Sequence, residues 1–346
     1  KAVDLFLSML QKQESENQIS QESQFEAELT LGNLFRSRGE VDRALRIHQA
    51  IDSSPDYSIE QKLLAKQQLA KDFLVAGFYD RAENYYILLL DEPDFAVNSL
   101  TQLMVIYQKT KEWKKAINVS EKLLQISPDT DKKPLAHYYC EYAQAVKNDD
   151  QKAFLDALNK ALFHLPSCSR ASMLLGEFHL ENKQFRLAAD YYEAVLSQNV
   201  DYIGEVLDKI KHCYLTLNDL SGYELFLIKA NQVKQNPNVD LALTQLIDEK
   251  DGKIAAQSKL YQQLRQFPNM LTFHRFIYYQ INEAEEGSGK ESLILLYNMV
   301  GEQIRKSFKY RCSNCGYQSY RLSWYCPSCR HWETIKAIHS IEPQSH

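Results

Sequence analysis

Four of the seven cysteines fall as two pairs near the C-terminus, Cys312-Ser313-Asn314-Cys315 and Cys326-Pro327-Ser328-Cys329. Two residues between cysteines let one tight turn aim both sulfurs at a common point, and two such turns ten residues apart complete a tetrahedral sulfur cage. Zinc or a single iron suits such a cage. Gly316 follows the first pair, where a residue free to take positive φ lets backbone amides point at sulfur, and Pro327 stiffens the second pair. The competing account is two disulfides or four unrelated thiols; the doubled spacing favours metal. Cys312, Cys315, Cys326 and Cys329 are the expected ligands.

No other constellation of comparable quality is present. Ser288-Gly289-Lys290-Glu291-Ser292 glances toward a phosphate loop, but Ala284 stands where its first glycine belongs and Glu291 where its hydroxyl belongs, so a charged turn between helices is the better reading. Metalloprotease, nucleophile-elbow and dinucleotide-binding motifs are missing from the sequence. His137, His164, His179 and His212 sit singly among helical residues and read as structural. The pairs Tyr85-Tyr86, Tyr138-Tyr139 and Tyr191-Tyr192 fit helix packing. Catalysis has no visible home.

The elements that must carry the cage come from a repeat. Small residues opening each second helix recur at Ala44, Ala82, Ala116, Ala153 and Ala188, after Ala2, and a period near 34 with paired helices is the tetratricopeptide signature. The clearest copy holds Leu31, Gly32, Phe35, Gly39, Asp42 and Ala44; a later one holds Leu175, Gly176, Phe185, Ala188, Tyr192 and Val195. Gly32, Gly176 and the alanines are small where two helices approach closely. Gly39 and Gly77 end helices at positive φ, and Pro55, Pro93, Pro128 and Pro166 follow second helices.

The boundaries that follow are a repeat remnant plus loop over 1–24, five tetratricopeptide repeats over 25–202, degenerate helical repeats over 203–304 and a metal-binding module over 305–346. Full repeats begin near Phe25, Leu63, Val97, Leu135 and Ser169. Roughly three weaker ones follow, with Gly252 at an inter-helix turn. The fold class is all-α, a tetratricopeptide-repeat superhelical solenoid closed by a small four-cysteine ribbon. Its first helices line a concave face, where Asn33, Arg36, Lys71 and Gln108 are the candidate partner contacts.

Composition agrees with a folded protein: 346 residues, 45% hydrophobic, 25% charged, with only 11 Gly and 9 Pro. No apolar run approaches the roughly 20 residues that span a bilayer, so the chain reads as soluble. Lys1 opens inside an amphipathic segment, which leads us to expect a preceding segment in the natural protein. An odd cysteine count with Cys140, Cys168 and Cys213 scattered singly fits a reducing cytoplasm. From Arg305 to Lys336 seven basic residues face Glu333 alone, +6 in a chain of −5, which leaves −11 elsewhere. Four thiolates on a divalent metal bring the module to about +4. A basic module and an acidic solenoid are suited to dock on each other.

Tyr310, Tyr317, Tyr320, Trp324, Tyr325 and Trp332 make the module aromatic as well as basic. Such a ribbon could stack on nucleic acid, but a module this small also needs aromatics and metal merely to fold, and we favour the second account. The cage then acts as a staple that fixes a basic, aromatic surface in relation to the last repeats.

Taken in order, LGNLFRSRGEVDRA at Leu31–Ala44, Asn282–Gly287, Met299–Gln303, YRCSNCGYQSY and WYCPSCRHW resemble the lipopolysaccharide assembly protein B family of Gram-negative bacteria over essentially the whole chain. The resemblance implies a rubredoxin-like terminal module and a non-enzymatic adaptor on the cytoplasmic face of the inner membrane, anchored by one N-terminal helix that is not in this sequence. It further implies partners: the AAA+ protease FtsH, the lipid A pathway deacetylase whose degradation the adaptor promotes, and an inner-membrane regulator that senses lipopolysaccharide. The same four cysteines carry over as metal ligands, with zinc the expected ion and iron the alternative. Two other functions stay open: electron transfer by a rubredoxin-type iron, and nucleic-acid binding by the ribbon.

Overall fold

The computed structural model describes residues 21–338. The half-repeat expected at Lys1 to Leu10 lies outside them, as does the expected loop as far as Ser20; the rest of that loop, Gln21 to Gln24, is not a loop but the first turn of a helix, its polar residues being those of an exposed helix start. The chain divides into two compact units between Asp131 and Lys132.

The first unit is three helix pairs: α1 (Gln21–Ser37) with α2 (Val41–Ser53), α3 (Ile59–Ala76) with α4 (Tyr79–Leu88), and α5 (Pro93–Thr110) with α6 (Trp113–Ile126). Local signals set their ends. Ser58 and Gln61 form a reciprocal capping box at the start of α3, and Gly77 ends that helix at φ 82°. Pro93 occupies the first turn of α5, where a missing N–H costs nothing. Ala44, Ala82 and Ala116, each the fourth residue of a second helix, are fully buried. A side chain at Gly32 would meet His48 Nε2 at 2.3 Å, so α1 and α2 touch only because that residue is glycine.

The second unit continues with α7 (Lys133–Val146) and α8 (Gln151–His164), then α9 (Ser169–Glu181) and α10 (Phe185–Gln198). In α8 the fourth residue is Phe154, fully packed, while Ala153 is only half-buried and donates its amide to the Asp150 cap. The repeat position is therefore one residue later than the alanine alignment placed it; Ala157 and Ala161 supply the closeness instead. A 3-10 turn (Val200–Glu205) leads to three weaker pairs: α11 (Leu207–Thr216) with α12 (Leu220–Val233), α13 (Pro237–Asp251) with α14 (Lys253–Gln266), and α15 (Met270–Glu283) with α16 (Ser288–Lys306). Gly252, at φ 87°, makes the turn between α13 and α14. The stretch Ser288 to Ser292 opens α16 rather than forming a turn; the turn is the four residues before it, ending in Gly287. Cys140 and Cys168, far apart in sequence, meet in the core with sulfurs 4.0 Å apart.

A three-stranded antiparallel ribbon closes the unit: β1 (Tyr310–Cys312), β2 (Gln318–Ser319) and β3 (Ile335–Ala337), in the order β2-β1-β3. The register pairs Arg311 with Gln318 on one side and with Lys336 on the other. Among the described residues no helix is long and apolar enough to cross a membrane.

Candidate metal centre and its docking surface

The first cysteine knuckle springs from the end of β1 and the second from a bridge between Tyr325 and Trp332. The two repeat one backbone pattern. Cys312 N–H donates to Tyr317 O (2.7 Å) and Gly316 N–H to Cys312 O (3.0 Å); Cys326 N–H donates to His331 O (2.9 Å) and Arg330 N–H to Cys326 O (2.9 Å). Gly316 has φ 78°, as its sequence position led us to expect, and Arg330 has φ 62° at the equivalent place. Each knuckle thus turns its two thiols inward with the same hydrogen bonds.

All four sulfurs lie within 4.8 Å of one another. Cys312 and Cys329 Sγ are 3.7 Å apart and Cys315 and Cys326 Sγ 3.6 Å. A tetrahedron with metal–sulfur bonds of about 2.3 Å has edges of about 3.8 Å, whereas a disulfide needs about 2.05 Å. The donor set fits a single tetrahedral ion, and all four cysteines are free thiols. Cys312 and Cys326 are buried with Ile335, while Cys315 is exposed and Cys329 partly so.

The surroundings prepare the thiolates unevenly. Burial pushes the Cys312 thiol up, but Thr334 Oγ1 at 3.3 Å and the backbone amides of Cys315 and Asn314 outweigh it and bring it below its ordinary value. The Asn314 side chain, with the His331 amide and ring, holds Cys329 down to about 5. Burial pushes Cys326 up to about 11. Drawing that last proton off is what a bound divalent cation does.

The ribbon docks on the body of its unit through its large aromatics. Trp332 stacks on the buried His137 ring of α7 at 4.6 Å and 10°, and meets Tyr138 edge-on at 5.9 Å. Trp324 lies 4.8 Å from Tyr202 of the 3-10 turn, 5.9 Å from His137, and under the Arg170 guanidinium of α9. Tyr310 donates its hydroxyl to Glu205 at 2.8 Å, and Lys336 pairs with Asp201. Glu333, at φ 56°, brings a carboxylate oxygen 3.5 Å from His137 Nε2. The charge complementarity expected from the sequence is present in the ion pair of Lys336 with Asp201, and stacking of the two indoles adds the apolar contact.

This corrects the expected placement beside the last repeats. A shelf of His137, Tyr138 and Tyr202 matches two indoles, and α7, α9 and the 3-10 turn form that shelf; α15 and α16 do not. His137 has the structural role expected of it, as the buried centre of the shelf. Trp324, Trp332 and Tyr310, half of the aromatics that could have stacked on nucleic acid, are occupied by this docking. Tyr317 and Tyr320 remain exposed.

In the first unit, the structure draws the candidate contacts Asn33 and Arg36 into an internal network. Arg36 donates to Asp72 Oδ1 (2.8 Å), to Asn33 Oδ1 (2.5 Å) and to Gln68 Oε1 (2.9 Å), and Asp72 Oδ2 meets His48 Nδ1 at 2.5 Å with both side chains fully buried. Lys71 is half-buried nearby; burial first, then the Arg36 charge, lowers its ammonium pKa. Gln108, half-buried on α5, belongs to a different helix pair. Nothing in the sequence marks His48 and Asp72, because each is a lone polar residue at a core position of a helix, and only the fold pairs them.

Comparison with known proteins places these features in context. The family described as rubredoxin metal binding domain matches residues 310–337. A protein of Haemophilus influenzae named lipopolysaccharide assembly protein B is 61% identical over 99% of this chain and 86% of its own length. The Escherichia coli K12 protein of the same name is 42% identical over the same shares. A solved tetratricopeptide repeat protein from Parabacteroides merdae overlaps 79% of this chain and 98% of its own, at 13% identity and a TM-score of 0.37. So low an overlap adds nothing to the fold, which rests on the helix pairs themselves.

Proposed function

This chain belongs to the lipopolysaccharide assembly protein B family, and from that premise we propose that it is a non-enzymatic adaptor in the control of lipopolysaccharide assembly. Paired helices offer long surfaces for protein partners, and the metal ribbon is a staple that fixes one more surface on them. The observation that carries this reading is the use of Trp324, Trp332 and Tyr310 in docking: the ribbon is built into a composite surface instead of being left open for chemistry of its own. The ion is zinc, held by Cys312, Cys315, Cys326 and Cys329, and what it supplies is structural cross-linking of the two knuckles.

In its finer form the adaptor brings the lipid A pathway deacetylase to the FtsH protease at the cytoplasmic face of the inner membrane, under an inner-membrane regulator that senses lipopolysaccharide. Asn33, Arg36, Lys71 and Gln108 are the proposed contacts in the first unit, with Arg36 holding Asp72 at the same time. Full-length protein, metal loaded, is expected to retain both protease and deacetylase in a pull-down. Retention of neither contradicts the adaptor.

A second reading is favoured by one observation: Cys315 is exposed, giving the cage a solvent edge of the kind electron transfer uses. Elemental analysis decides it. One zinc per colourless chain removes it, and one iron with a reversible potential establishes it.

A further inference from the structure

Three cysteines take no part in the cage, and two of them face each other. Cys140 of α7 and Cys168, at the cap of α9, hold their sulfurs 4.0 Å apart with both side chains fully buried, and both are free thiols. The third, Cys213 of α11, has no sulfur neighbour among the described residues. A disulfide needs about 2.05 Å between sulfurs, so the pair is a dithiol about 2 Å short of a bond. It sits on two helices that pack directly on each other.

What covers the pair is the ribbon. His137 stands three residues before Cys140, one turn along α7, and carries Trp332. Tyr202 carries Trp324, and the Arg170 guanidinium, two residues past Cys168, lies against the same indole. Burial first, then the charges of Glu333 and Asp201 and with them Cys168, push the Tyr202 hydroxyl up, which sets Cys168 close to the ring that Trp324 covers. Burial and the contact with Cys168 likewise hold the Cys140 thiol well above its ordinary value. A neutral thiol sealed from water does not attack an oxidant, because the thiolate is the nucleophile. Water and the nearby Arg170 cation act the other way on Cys140 once the cover is lifted.

We propose that Cys140 and Cys168 are a thiol-oxidation site with the metal ribbon as its lid. Docked, the ribbon keeps them reduced; lifted, it lets a low-molecular-weight disulfide oxidise them to a bond joining α7 to α9. One thiolate attacks a sulfur of the oxidant, forms a mixed disulfide and expels one thiolate; the other then attacks the protein sulfur of that mixed disulfide and expels the second. The two protons leave on the two released thiols, so one disulfide is reduced for each one formed. The bond therefore forms only when an oxidised thiol pool and a lifted ribbon coincide.

The test adds excess oxidised glutathione to the metal-loaded full chain and to its Trp324→Ala, Trp332→Ala double variant, and quantifies the Cys140–Cys168 cross-linked peptides by mass spectrometry. The double variant keeps all four metal ligands and removes both indoles from the shelf. The cross-link is expected to form at least about tenfold faster in it than in the parent chain, because the reaction runs through the open state. Stripping the metal from the parent chain with a chelator lifts the ribbon by a second route and is expected to give the same cross-link. Cys213 is expected to stay unmodified throughout, as the report that the repeats themselves remain folded. With Cys140→Ser added to the double variant, glutathione is expected to remain on Cys168 as the mixed disulfide. A cross-link absent by both routes overturns the site. Equal rates in the docked and lifted chains overturn the lid, and so does oxidation of Cys213 in step with the pair by both routes, which would mean that opening is global.

Discussion

Arg330 holds φ 62° at the place in the second knuckle that Gly316 fills, at φ 78°, in the first. A side chain in that region costs about 1 kcal/mol that glycine does not incur, less what glycine loses in chain entropy. Arg330→Gly is therefore expected to raise the thermal midpoint of the metal-loaded ribbon by the equivalent of about 0.5 kcal/mol, and Gly316→Ala to lower it by about 1 kcal/mol. Melting curves of both variants check the pair; the opposite order would mean that the two knuckles are not equivalent. His137 offers a second test at this scale. Burial holds its imidazole below the ordinary 6.5, with Glu333 as its partial counterweight and the Arg170 and Glu141 charges around it. Between the lowered folded value and 6.5 the unfolded chain binds the extra proton, so stability grows with pH across that window and is lost as pH falls below 6.5. His137→Phe keeps a ring against Trp332 and is expected to flatten that pH dependence, read as the midpoint of urea unfolding from pH 5 to 8.

The docking of the ribbon belongs to the scale of elements. Trp332→Ala removes the stack on His137 and the edge contact to Tyr138, and a buried aromatic truncated in this way costs about 3–5 kcal/mol. With the cage intact, the expected outcome is a ribbon that still binds metal but is released from α7, seen as rapid proteolysis between α16 and β1. Unchanged resistance would place the docking energy elsewhere. Much at this scale was legible in advance. The cysteine spacing, the helix-ending glycines and the prolines each act within a few residues, so their meaning survives in one dimension. The slip from Ala153 to Phe154 shows the limit of that legibility: packing asks for fit, not for one residue type, and α8 meets its neighbour through Ala157 and Ala161 instead. The Trp332–His137 stack, the Arg36–Asp72–His48 network and the Cys140–Cys168 contact join residues distant in sequence, and nothing local announces any of them.

For the whole molecule the account makes the metal cage a staple whose effect reaches the middle of the second unit. Each knuckle is a few residues of backbone without a core of its own, so loss of the ion removes the reason for the ribbon to hold Trp324 and Trp332 in place. The shelf they cover then opens to water. Among the described residues the Tyr202 hydroxyl and His137 Nδ1 have no hydrogen-bond partner, and His137 Nε2 has only Glu333 beside it at 3.5 Å, so packing under the two indoles holds these groups in place. Hydrogen exchange of the metal-loaded chain against the chain with Cys326→Ser is the measurement that tests this most directly. The account predicts that the variant loses its metal and that protection falls in β1 to β3 and, with them, in α7, α9 and the 3-10 turn, while α13 to α16 keep theirs. Loss of protection confined to the ribbon, or spread to α15 and α16 in place of α7 and α9, would contradict it.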